Sequence, residues 1–324
     1  MQLLERSQWH AVRIAIVLAL LGAIVFLHLP GTNAFWHVLQ KLGHSLIFAI
    51  IAWLTLSELR AVCRHRDGSD TVLYLVAMAI AVGFGAATEV AQGFVNRDPA
   101  FLDVMRDAAG AAAALALRRA IESPAQESAR FMSSRYVWAG GAIILVAGIA
   151  APMVLCLAAY AHRSLIFPTL AQFDSPLDLY FVMQKDTGGG RVAEPLRWAA
   201  GPRDEALEIR LISMPYSGIT FEEPYPDWRG HSSLAFDLTN PGLAPLQLRI
   251  SVSDHRHLRG DRDRFDRDFT VPAGVRLVFA IPLRDIQAAP SGRPMNMERI
   301  ARVILFRTRW SASDSLLLNR VWLQ

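Results

Sequence analysis

Ionisable and amide side chains stand inside or at the ends of long apolar runs of this sequence, where a membrane span would normally carry none: Lys41 and His44, then Glu89 and Gln92, then Arg97, Asp103 and Asp107. At membrane depth each ionisable group costs roughly 2.5 to 3.5 kcal/mol, so a chain that keeps several must pair them or use them. Glu89 is suited to act as a general base or acid, Lys41 and Arg97 to hold an anionic group such as a lipid phosphate, and Asp103 with Asp107 to orient these or bind a divalent cation. Lys41, Glu89 and Asp103 are thus the candidate catalytic residues; His44, Gln92, Arg97 and Asp107 are candidate ligand-binding residues. In the contrasting role, Glu89 and Asp103 pair with Lys41 and Arg97 and only staple three helices together where charges can snorkel. Gln92 and His44 are not needed for stapling.

The elements that must position these residues follow from composition. Hydrophobic residues make up 52% of the 324, and the mean hydropathy of +0.26 is too high for an ordinary soluble protein. Apolar residues concentrate before Tyr160; beyond Phe167 the chain is mixed, charged and broken by Pro and Gly. The pattern predicts a helical membrane domain over residues 1–163 and a globular domain over 164–324. Five segments approach the roughly 20 apolar residues that a bilayer demands: Val12 to Leu29, Leu42 to Leu59, Thr71 to Phe94, Phe101 to Leu117 and Tyr136 to Ala161. The fourth is Ala-rich and carries Asp103, Arg106 and Asp107, so it must lean on its neighbours. The first is longer than a usual signal core and further spans follow it, which favours a retained span over a cleaved leader.

Short-loop charges set the orientation. Arg6 and Arg13, Arg60, Arg64 and Arg66, and Arg118, Arg119, Arg130 and Arg135 fall on alternate loops, which predicts a cytoplasmic N-terminus and a C-terminal domain on the opposite side. Helical spacing then gathers Lys41 with His44, Glu89 with Gln92, and Asp103 with Asp107 and Gly110 into a shallow polar pocket at the outer membrane face, walled by three helices. Gly85, Ala86, Gly93, Gly110 and Ala111 offer small surfaces for close helix approach. Of the 33 basic residues only Lys41 and Lys185 are lysines, which marks Lys41 as a selected ammonium rather than a generic positive charge. A transporter or channel would want polar residues along the whole crossing, and here they collect at one side.

The order of these residues, Lys and His opening the second span, then Glu-x-x-Gln-x-Phe-x-x-Arg, five residues, Asp, and a polar residue three before Gly, resembles the VanZ-like family of bacterial membrane proteins over about residues 14–117. The departure is Asp107, where the family pattern usually has Asn. The resemblance implies a multi-pass protein of the bacterial plasma membrane with a role at the cell envelope, where members have been linked to glycopeptide-antibiotic tolerance. It leaves open whether any reaction is catalysed.

From Leu165 onward, short alternating runs bounded by Pro-Gly, Ala-Gly and Ser-Gly turns predict an all-β antiparallel sandwich: Leu179–Met183, Leu207–Leu211, Leu234–Leu238, Leu246–Val252, Val275–Phe279, Ile300–Phe306 and Leu316–Leu323. The stretches Leu234–Leu238, Arg249–Asp254, Asp263–Phe269, Ile281–Ile286, Arg293–Met297 and Leu318–Leu323 resemble galactose-binding-like jelly rolls of the carbohydrate-binding type, which implies a glycan ligand. Tyr225, Trp228 and Trp310, with Tyr216, are the aromatics suited to stack on a sugar, Tyr225-Pro-Asp-Trp228 reading as an exposed loop; the same rings also suit core packing. The Asp/Arg alternation over Asp261 to Asp268 reads as a self-paired, solvated strand edge, and Asp254-His-Arg-His257 matches no EF-hand spacing, so no metal or cofactor is expected. No nucleophile elbow appears. The formal charge of +4 is accounted for by membrane topology, and no basic stripe with interleaved aromatics suggests nucleic acid. Cys63 and Cys156 are too differently placed to imply a disulfide framework.

Overall fold

The computed structural model describes residues 2–26, 29–63, 70–94, 101–122, 129–199, 201, 204–214, 216–257, 261–308 and 314–324. Among these residues five long helices come first: α1 (Gln2–Phe26), α2 (Ala34–Val62), α3 (Asp70–Gly93), α4 (Phe101–Glu122) and α5 (Ala129–Ile166). Twelve strands follow: β1 (Thr169–Ala171), β2 (Val182–Lys185), β3 (Thr187–Gly188), β4 (Arg191–Ala193), β5 (Glu205–Leu211), β6 (Gly218–Glu222), β7 (Ser233–Thr239), β8 (Leu246–Asp254), β9 (Phe265–Val271), β10 (Arg276–Pro282), β11 (Ile300–Arg307) and β12 (Asp314–Leu323), with the short helix α6 (Leu283–Ala288) between β10 and β11. The chain divides into two compact units, 1–156 and 157–324, and the division falls within α5.

In the first unit the helices alternate in direction, so α2 and α4 run the same way. Ser45 meets Arg106 near one end of this pair, and Arg60 meets Glu122 at the other. Small residues let α4 sit against both neighbours: Ala111 and Leu115 pack with Ala52 and Leu56 of α2 and with Ala77 and Ala81 of α3. Among the described residues four helices are long and apolar enough to cross a membrane, namely α1, α2, α3 and α5. The fourth segment, expected as a fifth span, does form the helix α4, but Asp103, Arg106, Asp107, Arg118, Arg119 and Glu122 break its apolar run, and it does not join these four. α2 also begins earlier than its apolar run. The Asn33 side chain accepts a hydrogen bond from the Trp36 N–H at 3.2 Å and caps it, so Lys41 and His44 lie two turns or more inside the helix rather than at its opening.

The second unit is an antiparallel sandwich. One sheet runs β10-β7-β12-β5-β3, with β1 pairing β12 and β4 pairing β5; the other runs β2-β6-β11-β8-β9. Alternation supplies the core: Leu207, Ile209 and Leu211 of β5, Leu234, Phe236 and Leu238 of β7, and Ile250 and Val252 of β8 all face inward. The runs expected as strands from 207 onward are strands. Of the 179–183 run, the first residue closes a single-turn 3-10 helix and only Val182 and Met183 enter β2. The Asp/Arg stretch contains the edge strand β9, where Arg249 of β8 grips Asp268 through two bonds of 2.7 Å.

Candidate functional site

The polar residues of the helical unit separate into two sets at opposite ends of the bundle, and the contrast between them defines the candidate site. At the end where α2 and α4 finish and α3 begins, charges from all three helices are engaged with one another. Arg60 of α2 bonds Asp70 of α3 (2.9 Å) and Glu122 of α4 (2.7 Å), Arg119 reaches Asp70 (2.7 Å), Arg118 reaches Glu122 (2.8 Å), and the Tyr74 hydroxyl donates to Glu122 (2.9 Å). Arg118 also donates to the Trp53 carbonyl at 2.9 Å and to Ser57 Oγ at 2.8 Å, and its guanidinium lies over the Trp53 ring. Glu58 takes His10 and Arg13 from α1. This is a helix clamp.

At the other end the arrangement is different. Asp107, one turn and a half inside α4, has no solvent exposure, and neither of its carboxylate oxygens accepts a hydrogen bond among the described residues. His44 of α2 presents Nδ1 to Asp107 Oδ1 at 3.8 Å, beyond hydrogen-bond range. Glu89 of α3 is buried, and it lies with Asp103 and Arg106 near enough to Asp107 to act on it electrostatically. Glycines make the close packing possible: a Cβ on Gly85 would sit 3.4 Å from Asp107, and one on Gly110 would sit 2.1 Å from the Ser45 carbonyl oxygen. A buried acid facing an imidazole, beside a second buried acid, is a group able to take or give a proton.

The expected residues do not all join this cluster. Glu89, His44 and Asp107 come together. Gln92 is buried but its amide donates to the Ile24 carbonyl of α1 at 3.2 Å, so it does tie helices, contrary to the expectation that it is free of that duty. Asp103 pairs with Arg106 one turn away on its own helix. Lys41 is exposed and faces a groove between α2, α4 and α5 rather than the buried acids. Arg97 and Trp310 lie outside the described residues. Arg106 and Ser45 were missed as contributors; Ser45 donates to the Arg106 carbonyl at 3.2 Å, and its place one turn after Lys41 was the available signal.

In the sandwich, of the two roles open to Trp228, stacking on a sugar from an exposed loop or packing, the structure shows packing. Its ring is fully buried and its Nε1 donates to the Tyr225 carbonyl at 2.7 Å, a local bond that satisfies the indole and lets it close one part of the core. Tyr225 is half-buried, its ring against Phe167 at 4.0 Å between centroids. Tyr216 is exposed. Beside Trp228 a surface groove of about 510 Å³ is lined by Arg229, His231, Ser232, Arg284 and Gln287. Arg229 and Asp227 hold each other at 2.7 Å, and that guanidinium pulls the Asp227 carboxyl down to about 2. Elsewhere, Asp178 is buried and its carboxyl is pushed up by that burial, against the Ser175 N–H and His162, which pull it down. Among the described residues no three His, Cys, Asp or Glu side chains are grouped to hold a metal ion.

No protein-family model matches the chain, and no curated protein matches it. The solved structures that align with it include an exo-β-agarase (TM-score 0.40, 16% identity, 48% of this chain and 25% of that one). A family 11 carbohydrate-binding module from Clostridium thermocellum, solved with a β-1,3-1,4-mixed-linked tetrasaccharide, aligns at TM-score 0.37 and 13% identity over 48% of this chain and 93% of that one. A xylan-binding domain of carbohydrate-binding module family 22 aligns at TM-score 0.32 and 7% identity over 48% and 91%. The chain spans about a quarter of the length of the agarase.

Proposed function

We propose that the helical unit is a VanZ-like membrane domain of the bacterial envelope, in which His44, Glu89 and Asp107 bind or modify a lipid-linked or glycan envelope component, and that the sandwich is its glycan-binding accessory. The observation that carries this reading is Asp107, buried without exposure and with both carboxylate oxygens lacking a hydrogen-bond partner among the described residues. A staple uses its oxygens, as Glu122 does at the far end with Arg60, Arg118 and Tyr74. Leu18, Val72, Leu75 and Val90, exposed on the surfaces of the helices, suit a lipid surrounding. For the sandwich, the groove lined by Arg229, His231, Ser232, Arg284 and Gln287 offers polar side chains able to hydrogen-bond sugar hydroxyls; Tyr216 and Tyr225, which do not line it, are the remaining aromatic candidates.

A second role, a non-enzymatic envelope scaffold or sensor, draws on the far-end clamp and on Gln92, which show how readily this bundle uses polar groups to join helices. One experiment separates the two. The full chain in lipid nanodiscs is titrated with a lipid-linked disaccharide precursor, with Asp107→Asn and Glu89→Gln compared to the parent. Binding lost with the melting temperature kept supports the site; binding unchanged in both variants, or absent in the parent, removes it in favour of the scaffold.

A further inference from the structure

A second feature of the helical unit involves none of the buried acids. α5 stands off from the α2–α4 pair, and the space between them forms two grooves that succeed each other along the same three walls. The longer one, about 680 Å³, is walled by apolar side chains alone, among them Ile50 and Trp53 of α2, Leu117 of α4, and Ile143 and Val146 of α5. The next, about 390 Å³, continues past Leu42, Met105 and Ile149 and ends among Lys41, Ser45 and Arg106. An apolar trough with basic groups at one end matches one kind of molecule in outline, an anionic amphiphile.

The charges narrow it further. Lys41 is exposed and has no ion-pair or hydrogen-bond partner among the described residues, while Arg106 shares its charge with Asp103 but uses only one of its nitrogens there. With Lys41 and Arg106 each +1 and Asp103 −1, the mouth of the trough carries a net +1. That balances the single negative charge of a phosphodiester. Lys41 is also the only lysine of the helical unit, and a compact ammonium on a flexible stem suits a phosphate near the interface.

We propose that the α2–α4–α5 trough is a binding site for a glycerophospholipid with a monoanionic head, its phosphate at Lys41 and Arg106 and an acyl chain along the apolar walls. The lipid then fills the gap that α5 leaves, and α5 is held to the bundle through it. The inference rests on the reading of the helical unit as membrane-embedded, and it is independent of what Glu89 and Asp107 do.

The test is native mass spectrometry of the full chain released from nanodiscs of equal phosphatidylglycerol and phosphatidylcholine content. The parent is expected to retain phosphatidylglycerol in preference. Lys41→Ala should cut that retention about fivefold, the effect of removing one basic residue near a phosphate, while Lys41→Arg keeps most of it. Ala147→Phe, which fills the trough without changing charge, should lower retention of both lipids. Equal retention of the two lipids by the parent, or a Lys41→Ala variant indistinguishable from it, overturns the proposal. Retention of added polyprenyl phosphate in place of phosphatidylglycerol overturns the monoanionic assignment. Recovery of the chain in the soluble fraction of lysed cells, a separate measurement, overturns the membrane reading itself.

Discussion

Gly110 of α4 lies so close to Ser45 of α2 that a Cβ on the glycine would stand 2.1 Å from the Ser45 carbonyl oxygen and 2.9 Å from its Cα. This contact sets the spacing of α2 and α4, and with it the place of Asp107 one turn before Gly110 and of His44 beside Ser45. Gly110→Ala therefore has backbone, not a movable side chain, to push against. The helices must part and the bond from Ser45 to the Arg106 carbonyl must stretch. The expected cost is about 1 to 3 kcal/mol, read as a lower melting temperature of the detergent-solubilised chain. A variant that melts with the parent would show that the contact does not set the spacing.

Asp107 and Glu122 sit at opposite ends of α4 and should respond oppositely to neutralisation. Glu122→Gln loses charge-assisted bonds to Arg60 and Arg118 and leaves those guanidiniums short of a partner, which is worth about 1.5 to 3 kcal/mol before discounting for the partial exposure of Glu122. Asp107→Asn has no such bond to lose and removes a buried charge, so its melting temperature should equal or exceed that of the parent. Measured side by side, a large drop for Asp107→Asn would assign the residue to the scaffold.

How far these features could be read in advance depended on whether they are local. Leu207, Ile209 and Leu211 announce β5 because strand alternation is a local property, and they are the buried positions of that strand. β6 escaped notice: it is five residues long, four of them buried, and starts at Gly218, whose missing Cβ lets β11 approach, so no alternation marks it. Trp228 stayed open between an exposed loop and core packing because Tyr-Pro-Asp-Trp has turn composition; its burial depends on strands far away in sequence. In the helices, the cost of charge in apolar runs pointed to Glu89 and Asp107, which are buried together. Spacing could not tell that His44 turns toward Asp107 while Lys41 faces α5, because helix rotation is fixed by packing. The arginines of the clamp, Arg60, Arg118 and Arg119, looked like topology signals alone, and their partners Asp70 and Glu122 drew no notice. The clamp's pairing needs three helices to end at one level, a tertiary fact.

Asp254 closes β8 with a side chain that has no exposure, and it accepts from Arg293 at 2.6 and 2.9 Å, from the Asn296 N–H at 2.7 Å and from the Arg256 N–H at 3.1 Å. Burial alone would raise its pKa, but the guanidinium and the two backbone donors outweigh that and hold the carboxyl below its ordinary value. An acid depressed in the folded state is bound by fewer protons there than in the unfolded chain, so its contribution is complete at neutral pH and falls away as pH drops below the unfolded value of about 3.9. Asp254→Asn keeps the shape but gives up the charge and one acceptor oxygen, leaving Arg293 to Asp263 alone among carboxylates. It should cost about 2 kcal/mol at pH 7, seen as faster hydrogen exchange of the β8 amides over residues 246–254 in the full chain. The difference from the parent should shrink as pH is lowered through 4 toward 3, since the parent then loses the same charge. A gap that stays constant across that range would mean that packing, and not the ionised pair, makes Asp254 matter to the sandwich.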